Sequence, residues 1–226
     1  MSFRVNAVRT GCPALCVAGR ATVFASFEHS YYVETSDGIA CVGKNIGLGP
    51  LNIVVEDFEA LPPGSAVEIY VGGSKVWTPS LPDEPRDFPQ QKVPKSIGKP
   101  GTAFLKWIGG SGKPDDALIG LGPGLTPAGD DFVGGAMISL RVLGGDAGRI
   151  LADRVAAWAL PLARERTNRI SLAHLECAAE GEGHEALHDL LNTGDEKHLE
   201  RLANVGHTSG LDAAAGALLA LASRAG

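Results

Sequence analysis

The sequence predicts an α+β protein, in which a small antiparallel β-barrel or sandwich is followed by an α-helical bundle. Residues 1–80 hold short runs of β-branched and aromatic residues between turn signals, which is typical of small all-β domains. From Thr102 onward the apolar residues instead recur at helical spacing. A proline-rich segment, residues 81–101, separates the two patterns. We therefore expect a β-rich domain over 1–80 and a helical domain over 102–226.

The strands are predicted where β-branched and aromatic residues cluster. Turn signals such as Ser36-Asp37-Gly38 and Pro62-Pro63-Gly64 separate them. The predicted strands are Ala21–Phe27, Tyr31–Thr35, Ile39–Val42, Leu51–Val55 and Ala66–Tyr70.

The linker is predicted from its prolines, which lie among charged residues. Proline lacks a backbone N–H, so it is excluded from helix interiors and central strands. We expect an extended surface segment here, carrying Pro79, Pro82, Pro85, Pro89, Pro94 and Pro100.

The helices are predicted from apolar residues at helical spacing, and glycines are expected to end several of them. The predicted helices are Phe132–Leu143, Ala147–Arg164, Ser171–Glu180, His184–Leu191, Glu196–Ala203 and Asp212–Ser223.

Composition and charge exclude several classes of protein. The 226 residues carry a formal net charge of −6, which argues against a nucleic-acid surface. No apolar run approaches the length of about 18 residues that spans a membrane, and the N-terminus lacks the apolar core of a signal peptide. We expect a cytoplasmic protein with reduced thiols, no membrane partner and no nucleic-acid partner.

The strongest chemical motif is the Gly-rich loop Gly120–Asp131, with sequence GLGPGLTPAGDD. Its glycines permit positive φ and bring backbone N–H groups close to a ligand, while its prolines fix the turns. Such a loop, leading into a helix N-terminus, is a ready anion site. We predict that Gly122, Gly124 and Thr126 bind a small anion.

Asp130 and Asp131 complicate this prediction, because two carboxylates repel a bare phosphate. They suit the N-terminal turn of a helix. A bound Mg²⁺ between the carboxylates and a phosphate would resolve the conflict, with Asp130 and Asp131 as metal ligands. Alternatively, one Asp orients a substrate amide or acts as a base, or the whole segment is a capped structural turn.

A second motif, Gly206–Gly216, shares the skeleton Gly-x-Asp-x-x-x-Gly with the first. Gly129, Asp131 and Gly135 match Gly210, Asp212 and Gly216 in order. We hypothesise that the two helix N-termini converge and place Asp131, His207, Thr208 and Asp212 around one site, with Ser209 beside them. A coincidental likeness of two short segments is the alternative.

Two further groups of side chains are candidates for the same site. His207 stands at a helix start and is able to serve as acid, base or oxyanion donor, although a structural histidine is equally consistent. Arg166 and Arg169 are candidates to bind a carboxylate or phosphate, with Thr167 and Ser171 beside them. Solvated arginines and hydroxyl caps for the next helix explain that cluster as well.

Taken together, GLGPGLTPAGDD, the Thr167…Ser171 element, GHTSGLD and the Gly49-Pro50 turn resemble a bacterial family. Its members include AllH, a subunit of oxamate carbamoyltransferase from anaerobic allantoin breakdown. The loop of that family more often has Ser where this chain has Ala128. The resemblance implies phosphorolysis of oxalurate to oxamate and carbamoyl phosphate, in a complex with two other kinds of subunit.

On this resemblance, the expected ligand is a small anion: phosphate, carbamoyl phosphate or a ureido carboxylate. The candidate catalytic residues are Asp130, Asp131, His207 and Asp212. The candidate ligand-binding residues are Gly122, Gly124, Thr126, Arg166, Thr167, Arg169, Ser171, Thr208 and Ser209. Two other functions stay open: a non-catalytic effector-binding or scaffolding subunit, and a metal-dependent hydrolase or phosphate-binding enzyme that acts alone.

Overall fold

The structure is a computed structural model that describes residues 3–79, 88–92 and 94–223. The chain divides into two compact units, Met1–Pro79 and Ser80–Gly226. The first contains a curled mixed sheet and the second contains helices, so the predicted α+β class is confirmed. Residues 81–87 and 93 of the predicted linker lie outside the described residues.

The first unit forms an eight-stranded sheet that curls into a half-barrel, with strand order β1-β7-β3-β4-β5-β6-β2-β8. All five predicted strands are present, and β1, β2 and β8 were not predicted. The strands are β1 (Phe3–Asn6), β2 (Arg9–Gly11), β3 (Gly19–Ser26), β4 (Ser30–Glu34), β5 (Ile39–Gly43), β6 (Asn52–Val54), β7 (Ala66–Tyr70) and β8 (Lys75–Trp77).

The centre of the sheet, β3-β4-β5, is the expected antiparallel meander. Parallel pairs occur as well, because β1 lies beside β7, β2 beside β8 and β5 beside β6. The sheet is therefore mixed. Its core consists of the inward side chains of alternating residues, including Val23, Val33, Val42, Ile53 and Val67.

The second unit contains seven helices within its described residues. They are α1 (Gly98–Ile108), α2 (Ala128–Leu143), α3 (Gly145–Arg166), α4 (Arg169–Ala179), α5 (Glu185–Thr193), α6 (Lys197–Ala203) and α7 (Ser209–Ala222). None of the helices in the described part of the chain combines the length and the apolar character that a bilayer crossing requires.

Helix α1 begins inside the segment that was predicted to be linker. Pro100 lies in its first turn, where a helix has no acceptor for the missing N–H, so the proline is tolerated. The ring of Phe104 on this helix lies 6.0 Å from that of Phe132 on α2. The end of the proline-rich segment is therefore anchored in the helical core.

Helix α2 is the centre of the unit and packs most extensively against α7. Glycines allow this close approach. A Cβ at Gly135 would overlap the carbonyl oxygen of Ala213, and a Cβ at Gly216 would overlap that of Phe132. The crossing lies one helical turn after Asp131 and Asp212, so it brings the N-terminal turns of both helices together.

Candidate functional site

Asp130 is buried in the first turn of α2, and each of its carboxyl oxygens accepts a hydrogen bond. Its Oδ1 accepts a hydrogen bond from the backbone N–H of Gly120 at 2.7 Å. Its Oδ2 accepts one from the hydroxyl of Ser171 on α4, also at 2.7 Å. Only 2% of the residue is exposed. Because both oxygens are engaged, Asp130 holds the Gly-rich loop against α2 and α4.

Asp131, the next residue, has a different environment. Its Oδ2 is shielded from solvent and has no hydrogen-bond partner. Burial raises the pKa of this carboxyl well above its usual range, and hydrogen bonds from Ser209 and Thr126 oppose that rise. The negative charges of Asp212 and Asp130 raise the pKa of Asp131 further. The environment therefore favours the protonated form of this carboxyl more than water does.

Asp212 lies in the first turn of α7 and is 4% exposed. Its Oδ2 is also buried without a hydrogen-bond partner. Burial raises the pKa of this carboxyl, against a hydrogen bond with Thr208 that lowers it. Two buried carboxyls from different helices thus each keep one oxygen unsatisfied, which is costly unless a proton or a ligand supplies the donor.

The two loops meet through their hydroxyl groups. Thr126 Oγ1 and Ser209 Oγ lie 2.7 Å apart, and both hydroxyls also bond to Asp131. The structure therefore brings Asp131, Thr126, Ser209 and Asp212 together, as the converging helix N-termini of the sequence hypothesis require.

The Gly-rich loop has a conformation that other residues adopt with strain. The φ angles of Gly120, Gly122 and Gly124 are +77°, +113° and +101°. A Cβ at Gly120 would stand 2.5 Å from the carbonyl oxygen of Arg166, so that position also needs glycine for space. Gly122–Leu125 are exposed. The loop tip is thus held rigidly at its base and open to solvent.

Backbone donors are available at this tip. Within residues 94–223, the N–H groups of Gly122, Gly124 and Leu125 donate no hydrogen bond to a backbone carbonyl. The positive end of the α2 dipole lies directly behind them. These features are what a phosphate or carboxylate requires of a binding loop.

The arginine and hydroxyl cluster before α4 mainly supports this loop. Arg166 donates to the carbonyl oxygen of Asp116 at 2.7 Å. Asn168 caps α4 by accepting from the N–H groups of Ile170 and Ser171, and its Nδ2 donates to the carbonyl oxygen of Leu125 at 2.7 Å. The cap of α4 is therefore Asn168, whereas the sequence had suggested Thr167 or Ser171 for this role.

The remaining members of that cluster are less engaged with the loop. Thr167 Oγ1 is buried without a hydrogen-bond partner, and the side chain of Arg169 is exposed. His207 and Thr208 are exposed at the start of α7, whereas Ser209 points inward to Thr126. Of the predicted ligand-binding residues, Thr126 and Ser209 bond to Asp131, and Thr208 bonds to Asp212.

The hydrogen bonds that Asp130 already accepts argue against a metal ion between Asp130 and Asp131. A cation between Asp130 and Asp131 would have to displace the donors that already bind Asp130. In the part of the chain that the structure describes, no group of three or more His, Cys, Asp or Glu side chains is placed to hold a metal ion.

The segment that carries both aspartate motifs also matches a known family. Residues 118–221 match the model of the family described as oxamate carbamoyltransferase subunit AllH. This segment is AllH-like. The match spans both aspartate motifs and α2 to α6 in full, and the family resemblance predicted from the motifs is confirmed for it. No curated protein and no solved structure matches the chain.

Proposed function

We propose that this chain is a subunit of an oxamate carbamoyltransferase-like enzyme and works in the cytoplasm. The AllH match over residues 118–221 carries the proposal, because it covers both aspartate loops. The proposed reaction converts oxalurate and phosphate to oxamate and carbamoyl phosphate. A related carbamoyl or acyl transfer would use the same groups.

The reaction sets three requirements for a site. A phosphate oxygen forms a bond to the carbamoyl carbon of oxalurate, and the bond from that carbon to the oxamate nitrogen breaks. The leaving nitrogen must gain a proton, and hydrogen phosphate loses one. The site must therefore hold an anion, stabilise the developing oxyanion and move a proton.

The Gly-rich loop supports the first two requirements. Its exposed tip carries backbone N–H donors at Gly122 and Gly124, with the positive end of α2 behind them. We assign phosphate, or the phosphate group of carbamoyl phosphate, to this loop, with Thr126 at its inner end. The exposed side chains of Arg169 and His207 are our candidates for the carboxylate of the ureido acid.

The carboxyl pair supports the third requirement. An Asp that keeps its proton at neutral pH is able to protonate a leaving nitrogen, which an ordinary exposed carboxylate is not. Burial holds the pKa of Asp131 well above its usual range, so we assign Asp131 the role of the acid.

Ligand binding by the purified chain tests this proposal. Phosphate, carbamoyl phosphate and oxamate, each with and without Mg²⁺, should raise the melting temperature if they bind the folded chain, by an amount that grows with their concentration. A chain that none of these ligands stabilises, at any concentration, would contradict the assignment of the anion site to this subunit.

A matched pair of variants places the site. Gly124 and Gly145 both have positive φ, and a Cβ added at either meets no atom within 4 Å. Gly124→Ala should disturb the anion loop and reduce the ligand-induced shift, whereas Gly145→Ala lies at the start of α3 and should leave it unchanged. Equal loss in both variants would count against the loop as the binding site.

A further inference from the structure

A groove in the first unit carries polar groups that the proposed function does not use. It has a volume of about 560 Å³ and lies between a short 3₁₀ helix, Pro13–Val17, and the ends of two neighbouring strands, β3 and β4. Binding sites for small molecules typically measure about 300–1,000 Å³. The polar residues that line the groove are Arg20, Thr22, Glu34, Thr35, Ser36 and Asp37, and Cys16 lines it on the side of the short helix.

The two strands place a cation and a carboxylate on the same face of the sheet. Thr22 on β3 lies directly opposite Glu34 on β4, and residues that oppose each other in an antiparallel pair share a face. Arg20 lies two residues before Thr22, so it shares this face as well. Arg20 and Thr22 are exposed, whereas Ala21 between them is buried, as this alternation requires.

The turn after β4 forms another wall of the groove and is held in place by its own hydrogen bonds. The N–H of Thr35 donates to the carbonyl oxygen of Gly38 at 2.9 Å, and the N–H of Asp37 donates to the hydroxyl of Thr35 at 3.1 Å. A Cβ at Gly38 would stand 2.6 Å from the Sγ of Cys16, so the turn packs directly on the short helix. Burial raises the pKa of the Cys16 thiol, and the nearby negative charge of Asp37 raises it further.

The opposite charges of the groove do not neutralise each other. A guanidinium and a carboxylate form an ion pair when they come within about 4 Å. Within the described part of the chain, no ion pair involves Arg20 or Asp37. Arg20 also lies opposite Glu68 across β3 and β7 without forming an ion pair with it. The cation and the anion are thus held apart, which leaves room for a molecule with complementary charges.

The balance of charge indicates the kind of molecule. The groove is lined by two carboxylates, Glu34 and Asp37, and by one cation, Arg20. A ligand that is only an anion would meet net repulsion, and one that is only a cation would leave the guanidinium without a partner. A zwitterion matches both signs. Arginine binds a carboxylate through two parallel hydrogen bonds, and a carboxylate accepts hydrogen bonds from an ammonium group.

We propose that this groove binds an α-amino acid, with the ligand carboxylate on Arg20 and the ligand ammonium group on Asp37 and Glu34. The site lies outside the segment 118–221 that carries the aspartate motifs. Binding there needs no chemical step, and it does not depend on the proposed carbamoyl transfer.

The thiol of Cys16 reports on the groove. In the full chain with Cys12→Ser, Cys16 is the only exposed thiol left, since Cys41 and Cys177 are buried. A ligand that covers Cys16 should slow its alkylation by iodoacetamide by a factor of one plus the ratio of ligand concentration to Kd, about tenfold at nine times Kd. We expect at least one of the common amino acids, tested singly, to protect Cys16.

A control locates that protection. In the full chain with Cys16→Ser, the exposed thiol is that of Cys12, which does not line the groove. Its alkylation should be unaffected by the same amino acid. Potassium chloride at the same concentration should protect neither thiol.

Two sets of changes test the charge recognition. The amide of the protecting amino acid lacks the carboxylate and its N-acetyl derivative lacks the ammonium group, so each should need about tenfold or more higher concentration, because a hydrogen bond to a charged group is lost. Arg20→Gln and Asp37→Asn should weaken protection to a similar degree. Lys44→Gln and Asp57→Asn remove the same charges at exposed positions outside the groove and should leave protection unchanged.

The contrary results are as definite. Cys16 that no amino acid protects, at any soluble concentration, would overturn the site. Protection that survives both Arg20→Gln and Asp37→Asn would place the ligand elsewhere. Equal protection by the N-acetyl derivative, or by potassium chloride, would overturn the recognition of a zwitterion. The derivatives are tested on a chain with Arg20 and Asp37 unaltered, so this result stands even where a variant folds poorly.

Discussion

Replacing Asp131 by Asn tests the environment of its carboxyl, and Asp130→Asn is a matched control one residue away. Asp131→Asn replaces a carboxyl whose Oδ2 is buried without a hydrogen-bond partner by an uncharged amide of the same shape. Leaving a buried polar group unsatisfied costs about 1–3 kcal/mol, so we expect Asp131→Asn to stabilise the chain by an amount in that range. About 1 kcal/mol changes the melting temperature of a chain this size by about 2–4 °C.

The gain should depend on pH in a defined direction. Burial raises the pKa of the Asp131 carboxyl in the folded state, so the stability of the folded chain is greatest below the unfolded-state pKa of about 4 and falls as the pH rises through the folded-state pKa. Asn does not titrate. Asp131→Asn should therefore stabilise most at neutral pH and little near pH 4.

Asp130→Asn should have the opposite effect. Its two oxygens accept from Gly120 and Ser171, and hydrogen bonds to charged groups contribute about 1.5–3 kcal/mol. We expect a loss of about 2 kcal/mol. Thermal unfolding followed by the fluorescence of Trp107 and Trp158 between pH 4 and about 8 measures both variants. Destabilisation by Asp131→Asn at neutral pH, comparable to that of Asp130→Asn, would refute the reasoning.

Two further predictions concern the supports of the site. Gly135→Ala should destabilise the chain by about 2 kcal/mol or more, because its Cβ would overlap the carbonyl of Ala213. Gly134→Ala makes only ordinary contacts and should be neutral or stabilise the chain by up to about 1 kcal/mol. Urea unfolding measures both variants, and equal effects would contradict the close crossing of α2 and α7. Asn168→Ala should lose both the cap of α4 and the bond to Leu125, costing about 1–2 kcal/mol. Asn168→Asp keeps the cap but loses the bond to Leu125, so only Asn168→Ala should destabilise α4. The ligand-induced rise in melting temperature should be smaller in both variants.

Much of the fold is visible in the sequence because its patterns are local. The central strands and α2 to α7 follow from β-branched runs and helical spacing. The strands β1, β2 and β8 were missed because they are short and join the sheet through parallel pairs distant in sequence. Helix α1 was missed because Pro100 argued against a helix, although the first turn tolerates it.

The site was predictable in part for the same reason. The repeated Gly-x-Asp-x-x-x-Gly skeleton indicates which helices meet, since glycine one turn after the Asp permits a close crossing. The different roles of Asp130 and Asp131 depend on the direction in which each side chain points, which no sequence pattern encodes. Asn168 was missed although Asn is a favoured N-cap residue, because the neighbouring Thr167 and Ser171 also fitted that role.

Carbamoyl phosphate formation by the complex, isolated from its own host through a tag on this chain, tests the proposed role of Asp131 most directly. We predict that the complex forms carbamoyl phosphate from oxalurate and phosphate, that Asp131→Asn lowers turnover by about 100-fold or more, as expected for loss of an acid–base group, and that Asp146→Asn leaves it unchanged. The subunit composition of the complex should stay the same. An Asp131→Asn complex that assembles fully and retains its turnover would contradict a catalytic role for this site.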